Sequence, residues 1–273
     1  MSVAAPLRLR PLEIGDLLDE TFRMYRRHFW LFAGISALLA IPSAASQGIS
    51  YYALFGSLFQ STTADPAALL GANLATLVVA IINIALLPFG YGAVTYAASE
   101  SALGRPVTPG KVFRAVLRRY FPLMGFLLLI LVMAIVFCLL PLWIWIWVCW
   151  VAVMPAMFVE NIGLGAAMRR SWNLVQGRWW RTFLILFLMV VVYIVVGWTL
   201  SGFAVAALGL SALVLSSFIV FAIVGAVSII VNALVNPILQ IALVLIYFDL
   251  RVRREGLDLF QMAYQLNAPA AQS

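Results

Sequence analysis

Residues 182–248 contain no Asp, Glu, Lys, Arg or His. A soluble domain cannot contain such a stretch, because soluble domains are about 25% charged and about half apolar. The whole chain of 273 residues is 65% hydrophobic and 10% charged, with a mean hydropathy of +1.06. That leaves too little polar surface to cover a core in water. A bilayer removes the difficulty: a helix crosses its hydrocarbon layer with about 20 apolar residues. Only helices or closed barrels satisfy their own backbone there. The expected fold is an all-α integral membrane protein, one polytopic domain over 1–262 and a flexible tail over 263–273.

The apolar runs predict six spans near 29–50, 71–98, 122–140, 142–159, 182–204 and 217–248. The charges fall between them in four basic groups: Arg8, Arg10, Arg23, Arg26 and Arg27; Arg105, Lys111, Arg114, Arg118 and Arg119; Arg169, Arg170, Arg178 and Arg181; Arg251, Arg253 and Arg254. With six spans all four lie on one side, and the other side receives only Asp65. Basic loops stay cytoplasmic, so both termini are expected in the cytoplasm and the chain in the cell (plasma or inner) membrane. The pI of 9.8 then reads as a topology signal that meets anionic lipid, not nucleic acid. Charge is dense over 8–28, ahead of the first apolar run, so that run is expected to remain as a span and not to be a cleaved signal.

Residues 182–250 are long enough for three spans, but a third would send Arg251, Arg253 and Arg254 outward. Two spans are expected, joined by an outer segment near 201–216 where Gly202 and Gly209 cluster with serines. The last run, about 48 Å long at 1.5 Å per residue, is expected to kink at Asn236-Pro237. The alternating WIWIW segment imitates a strand, but an open strand edge cannot sit in lipid. It is read as a helix start, with Trp143, Trp145, Trp147 and Trp150 in an outer aromatic belt. Cys138 and Cys149 read as buried small hydrophobes.

Laid over each other at an offset of 150, GDLLDETFRMYRRHFW and GAAMRRSWNLVQGRWW place apolar residues together at 14/164, 18/168, 22/172, 25/175, 29/179 and 30/180. An offset of 95 brings Val112, Phe113, Leu117 and Tyr120 onto Leu17, Leu18, Phe22 and Tyr25. This is helical spacing. It predicts amphipathic interfacial helices near 12–28, 108–120 and 162–178, each turning into a span at an aromatic-basic corner. The unit of one interfacial helix and two spans would occur three times, unless helical periodicity alone accounts for the match. Asp19 and Arg23 are expected to pair at i, i+4.

Three strings, PLEIGDLLDETFRMYRRHF, MRRSWNLVQGRWWRTF and YFDLRVRREG, together resemble the glycerophosphoryl diester phosphodiesterase membrane domain and related prokaryotic multi-span proteins. The resemblance runs from about residue 6 to 262. It implies a six-span helical membrane domain without the soluble phosphodiesterase barrel, and so carries no esterase activity with it.

No catalytic constellation is legible. The acids sit at or outside interfaces, and the single His28 lies at head-group level. There is no metal-ligand cluster, cofactor motif or activated nucleophile, so no cofactor and no metal are expected. Glu160 and Asp249 are expected to form structural ion pairs with Arg181 or Arg251. Asn232, Asn236 and Gln240 form one stripe on the last span, and Asn83 lies on the second. They read as inter-helix hydrogen bonds or as a polar lining beside a Pro237 break. Gly90, Gly92, Ala93 and Ala97 offer a close-packing face.

The function expected is a non-enzymatic scaffold or regulatory subunit. It would bind anionic lipid, and a protein partner on the cytoplasmic face, through Arg23, Arg26, Arg27, Trp30, Arg118, Arg119, Arg169, Arg170, Trp172, Arg178, Trp179, Trp180, Arg181, Arg251, Arg253 and Arg254. The alternative is a transporter or lipid-handling protein using the polar stripe; an enzyme acting on lipid head groups ranks third.

Overall fold

A computed structural model describes residues 13–37, 40–42, 44, 66–135, 140–212 and 218–256. Among these residues helix is the only regular secondary structure, with no strand. The helices are α1 (Ile14–Arg27), α2 (Pro66–Ala102), α3 (Pro109–Arg118), α4 (Tyr120–Ile135), α5 (Leu140–Cys149), α6 (Val153–Val159), α7 (Leu164–Val175), α8 (Trp179–Ala212) and α9 (Phe218–Glu255). A further helical run follows α1 over residues 29–37. The expected outer residue Asp65, Cys138 and the tail lie outside the described residues.

Four helical segments are long and apolar enough to cross a membrane: Leu77–Ala102, Leu142–Val159, Trp179–Phe203 and Val227–Glu255. A fifth arises if α3 and α4, bent by 70° at their junction, count as one. The chain is therefore a multi-pass helical membrane protein, with four to five such spans among its described residues. WIWIW is helical, as expected. Cys149 is free and buried, also as expected.

Two expectations about the long helices fail. The outer segment near 201–216 is not a loop over its described part, because α8 runs on to Ala212. Its glycines cost only about 1 kcal/mol each in a helix, and apolar helix formers surround them. Nor is α9 interrupted at Pro237, as a polar lining beside a break would need: it runs continuously from Phe218 to Glu255 with Pro237 inside it, a continuity that a kinked helix also has. In α2, Leu77, Val78, Ile81 and Ile82 are exposed, whereas Val94, Ala97 and Ala98 are fully buried. In α9, Ile230 is exposed and the run from Ile241 through Tyr247 is almost wholly buried. Each of these two helices thus has an exposed N-terminal half and a C-terminal half inside the protein.

The three short amphipathic helices do the burying. α1 packs on α9, α3 on α2, and α7 on α6. The hydroxyl of Tyr25 donates to the Leu234 carbonyl at 2.6 Å, and that of Tyr120 to the Ala85 carbonyl at 3.1 Å. Both acceptors lie well up the long helices from their C-terminal ends. Gly92 permits the closest approach: a Cβ there would meet Leu123 Cδ1 at 3.0 Å and Val116 Cγ2 at 3.4 Å. Small residues at such crossings let helices touch. Ala93 and Ala97 are buried with it, while Gly90 has open space.

The buried stripe matches the predicted one only in part: Leu17, Val112 and Val175 are buried as expected. The large residues Ile14, Leu18, Phe22 and Tyr25 are only half-buried. Leu17, Thr21 and Met24 are the buried set of α1; Ala167, Ser171 and Leu174 are buried in α7 at the same offset of 150. Val112 and Val116 of α3 fall on Leu17 and Thr21 at the offset of 95. Thr21, Ala167 and Ser171 supply the small volume that close helix packing needs, Leu17, Met24 and Leu174 fill the space beside them, and Ile14, Leu18, Phe22 and Tyr25 are left to the rim. Arg23 pairs with Glu20 at 3.1 Å, one turn position away from the expected Asp19.

Candidate functional site: the basic face

The end of α9 reads YFDLRVRRE. Spacing of four places Tyr247, Arg251 and Glu255 on one stripe, and Asp249 and Arg253 on the next. The first stripe meets Glu160 and Arg170. Arg170 Nε donates to both Glu160 oxygens at 2.9 and 3.0 Å, and its other nitrogen pairs with Glu255. The buried Tyr247 hydroxyl donates to Glu160 Oε1 at 2.8 Å and accepts from Arg251 at 3.2 Å. Arg251 Nε donates to Glu255 at 3.0 Å and lies 3.7 Å from Glu160. Burial would lower the Arg170 pKa, but the bonds to Glu160 and Glu255 outweigh it and hold the pKa above its ordinary value.

The second stripe closes on α8. Asp249, only 3% exposed, accepts from Arg253 Nε at 2.9 and 3.2 Å and from Arg181 at 3.0 Å. Two arginines also bind helix-end carbonyls: Arg178 that of Arg253 at 3.0 Å, and Arg254 that of Gln176 at 2.8 Å. Such bonds satisfy acceptors a helix terminus leaves open. Gly177, at φ +84°, makes the turn between α7 and α8. The expected ion pairing of Glu160 with Arg251 and of Asp249 with Arg181 is present. Sequence reasoning missed Tyr247, which ties Glu160 to Arg251 within the first network; a tyrosine four before an arginine at a span end was the available signal.

The web uses up arginines that the sequence offered to lipid or a partner. Arg170, Arg181, Arg251 and Arg253 are ion-paired, and Arg178 and Arg254 are tied to carbonyls. Arg119 donates to the Ile162 carbonyl at 2.6 Å and to Asn161. Arg26, Arg27, Arg118 and Arg169 are exposed and make no ion pair among the described residues.

The aromatic corners share a register. The turns fall at His28, Arg119 and Arg178, and two residues past each stand Trp30, Phe121 and Trp180, exposed by 86%, 84% and 77%. The residue between is half-buried in each case: Phe29, Tyr120 and Trp179. Trp145 is not in a separate outer belt. It meets Trp172 edge-on at 4.8 Å, and its carbonyl accepts from the Trp179 indole at 3.4 Å. The irregular turn at 150–152 re-aims this segment, and Ser171 secures it by accepting from the Ala152 amide at 3.1 Å and donating to the Cys149 carbonyl at 2.7 Å.

The polar stripe divides. Gln240 is buried and accepts from Thr95 at 2.9 Å. It lines a cavity of ≈ 440 Å³ with Tyr91, Phe126, Trp147 and Trp150. Asn232 is exposed and donates to Ser201 at 3.1 Å, and Asn83 bonds back to the Val79 carbonyl at 3.0 Å. Asn236 is half-buried, and Asn232 and Asn83 are not among the residues lining that cavity. Among the described residues no three His, Cys, Asp or Glu side chains converge as a metal would require. No known family, curated protein or solved structure matches the chain, so the family resemblance rests on its three strings.

Proposed function

We propose that the protein is a non-enzymatic membrane scaffold or regulatory subunit. In this reading it crosses the cell membrane six times with both termini in the cytoplasm. It engages anionic lipid, and a protein partner, through the basic-aromatic face. The observation that carries the reading is the repeated corner: an exposed aromatic stands two residues past each turn, and beside two of the three, at Arg26–Arg27 and at Arg118, the arginines are exposed and make no ion pair among the described residues. Aromatic rings favour the membrane–water boundary, and arginine reaches head-group phosphate while its stem stays apolar. The shared buried positions of α1, α3 and α7 support a threefold unit of one amphipathic helix and two spans.

Native mass spectrometry of the protein extracted gently from its own membrane tests this. Retained anionic lipid, with a partner in fixed ratio, is the expected result. Replacing Arg26, Arg27, Arg118 and Arg169 by Gln should remove most of that lipid. Retention of zwitterionic lipid alone, or no change in the variant, contradicts the reading. The second reading, lipid handling or transport, is favoured by one observation, the cavity at Gln240. If Gln240→Leu abolishes a lipid-transfer phenotype in a folded protein, that reading replaces the first.

A further inference from the structure

One pocket on the basic face is lined by cations that no carboxylate among the described residues pairs, unlike the pocket at Arg178 and Arg253–Arg254, whose arginines are held by carbonyls or by Asp249. It encloses ≈ 270 Å³ where α2, α3 and α6 meet, and four cations line it: Lys111, Arg114, Arg118 and Arg119. The first three stand at i, i+3 and i+7, one stripe of α3. No carboxylate lines it. The nearest acids in sequence are occupied elsewhere, Glu100 by Arg105 at 3.4 Å and Glu160 by Arg170 and Tyr247. Lys111, Arg114 and Arg118 are exposed and have no ion-pair partner among the described residues. Arg119 is fixed at the wall by the Ile162 carbonyl and by Asn161, whose φ of 55° is a left-handed conformation that asparagine tolerates. Tyr96 and Phe158, edge to face at 5.6 Å, complete the wall.

The charged side chains of this pocket can only donate hydrogen bonds, and like charges gathered without a counterion repel one another. Both features call for an anion rich in acceptor oxygens. A phosphomonoester has three, with a charge near −2 at neutral pH, and forms short charge-assisted bonds with guanidinium groups. The volume lies just below the range of about 300–1,000 Å³ typical of drug-sized ligands, which suits a small head group. Phe113, Leu117 and Phe121 lie exposed on the same α3–α4 elbow, so the pocket opens beside an apolar strip where acyl chains would lie.

We propose that this pocket binds the phosphate of a phosphomonoester, with a lipid of the phosphatidic acid type as its source. The inference deepens the anionic-lipid reading above and rests on it. The test is a native mass spectrometry titration of the full-length protein with chain-matched phosphatidic acid, phosphatidylglycerol and phosphatidylcholine, and with glycerol 3-phosphate as the soluble arm. One saturable phosphatidic acid site is expected, with a midpoint at least tenfold below that for phosphatidylcholine. Lys111→Gln/Arg114→Gln should raise that midpoint at least tenfold. Arg26→Gln/Arg27→Gln should leave it within twofold while lowering total anionic lipid. Lys111→Arg keeps the charge and should keep the site, which separates ligand loss from misfolding. If glycerol 3-phosphate fills the same site and displaces the lipid, the phosphate chemistry stands and the source is soluble. An unchanged midpoint in the Lys111/Arg114 variant overturns the pocket, even where the Arg26/Arg27 variant still loses lipid. If neither variant changes anionic lipid retention, the broader reading falls too.

Discussion

The α7–α9 web and the α3 pocket are built from the same residue type, and they do opposite things with it. In the web, four arginines meet three carboxylates and a buried tyrosine within hydrogen-bond distance. In the pocket, four cations meet no carboxylate. The web has its counter-charges supplied by the chain and acts as a clasp between helices. The pocket has its counter-charge left to the surroundings. Arginine density alone therefore says little about ligand binding; the placement of the few acids decides it.

Breaking the clasp has the largest expected effect. Asp249→Asn leaves Arg181 and Arg253 facing a neutral amide at a nearly dry position. Removing one partner of a buried pair costs about 3 kcal/mol or more. The low end applies here, because both arginines keep 26% of their side-chain exposure. A marked fall in detergent thermal unfolding temperature is the expected reading. Ser171→Ala comes next, at about 1–3 kcal/mol, since it orphans the buried Ala152 amide. Thr21→Ala, at the matching position of α1, should cost less: its hydroxyl only bonds back to the Leu17 carbonyl at 2.7 Å. Measuring both sharpens the comparison between the two helices.

The pocket should respond in the reverse sense. Lys111→Gln/Arg114→Gln should shift stability by no more than about 0.5 kcal/mol, as exposed changes usually do, while weakening phosphatidic acid binding at the pocket at least tenfold. The smallest effect is at His28. Burial, followed by the Arg27 charge, lowers its pKa. The unfolded chain then takes up the proton more readily than the folded one. The stability it contributes is complete above the ordinary imidazole pKa and is lost as pH falls from there through the lowered folded value. Unfolding temperatures measured from pH 7.5 down to 5 should decline less steeply in His28→Gln than in the wild type; equal slopes would remove His28 from the account.

Helix identity was legible because apolar periodicity and the lack of charge over 182–248 leave no other structure in lipid. The pairing of Glu160 and Asp249 was legible for a related reason, since a carboxylate at a span end among arginines has few other fates. Three things were hidden. The buried stripe of α1 and α7 runs through Thr21 and Ser171, which no hydrophobicity scale selects. The loop near 201–216 was inferred from glycines whose helix cost is small beside the apolar context. The α3 pocket needed Tyr96 from one distant stretch of chain and Phe158 with Asn161 from another, and only the fold brings them to Lys111.

Mapping where lipid head groups touch the protein tests the central claim most directly. A phosphatidylglycerol-type lipid carrying a head-group diazirine would be photolysed with the protein in nanodiscs and the adducts located by peptide mass spectrometry. The account predicts adducts concentrated on 111–121 and around Arg26–Trp30, with few on Tyr247–Arg253, whose cations are already paired. Adducts concentrated on Tyr247–Arg253 and sparse on α3 would contradict it.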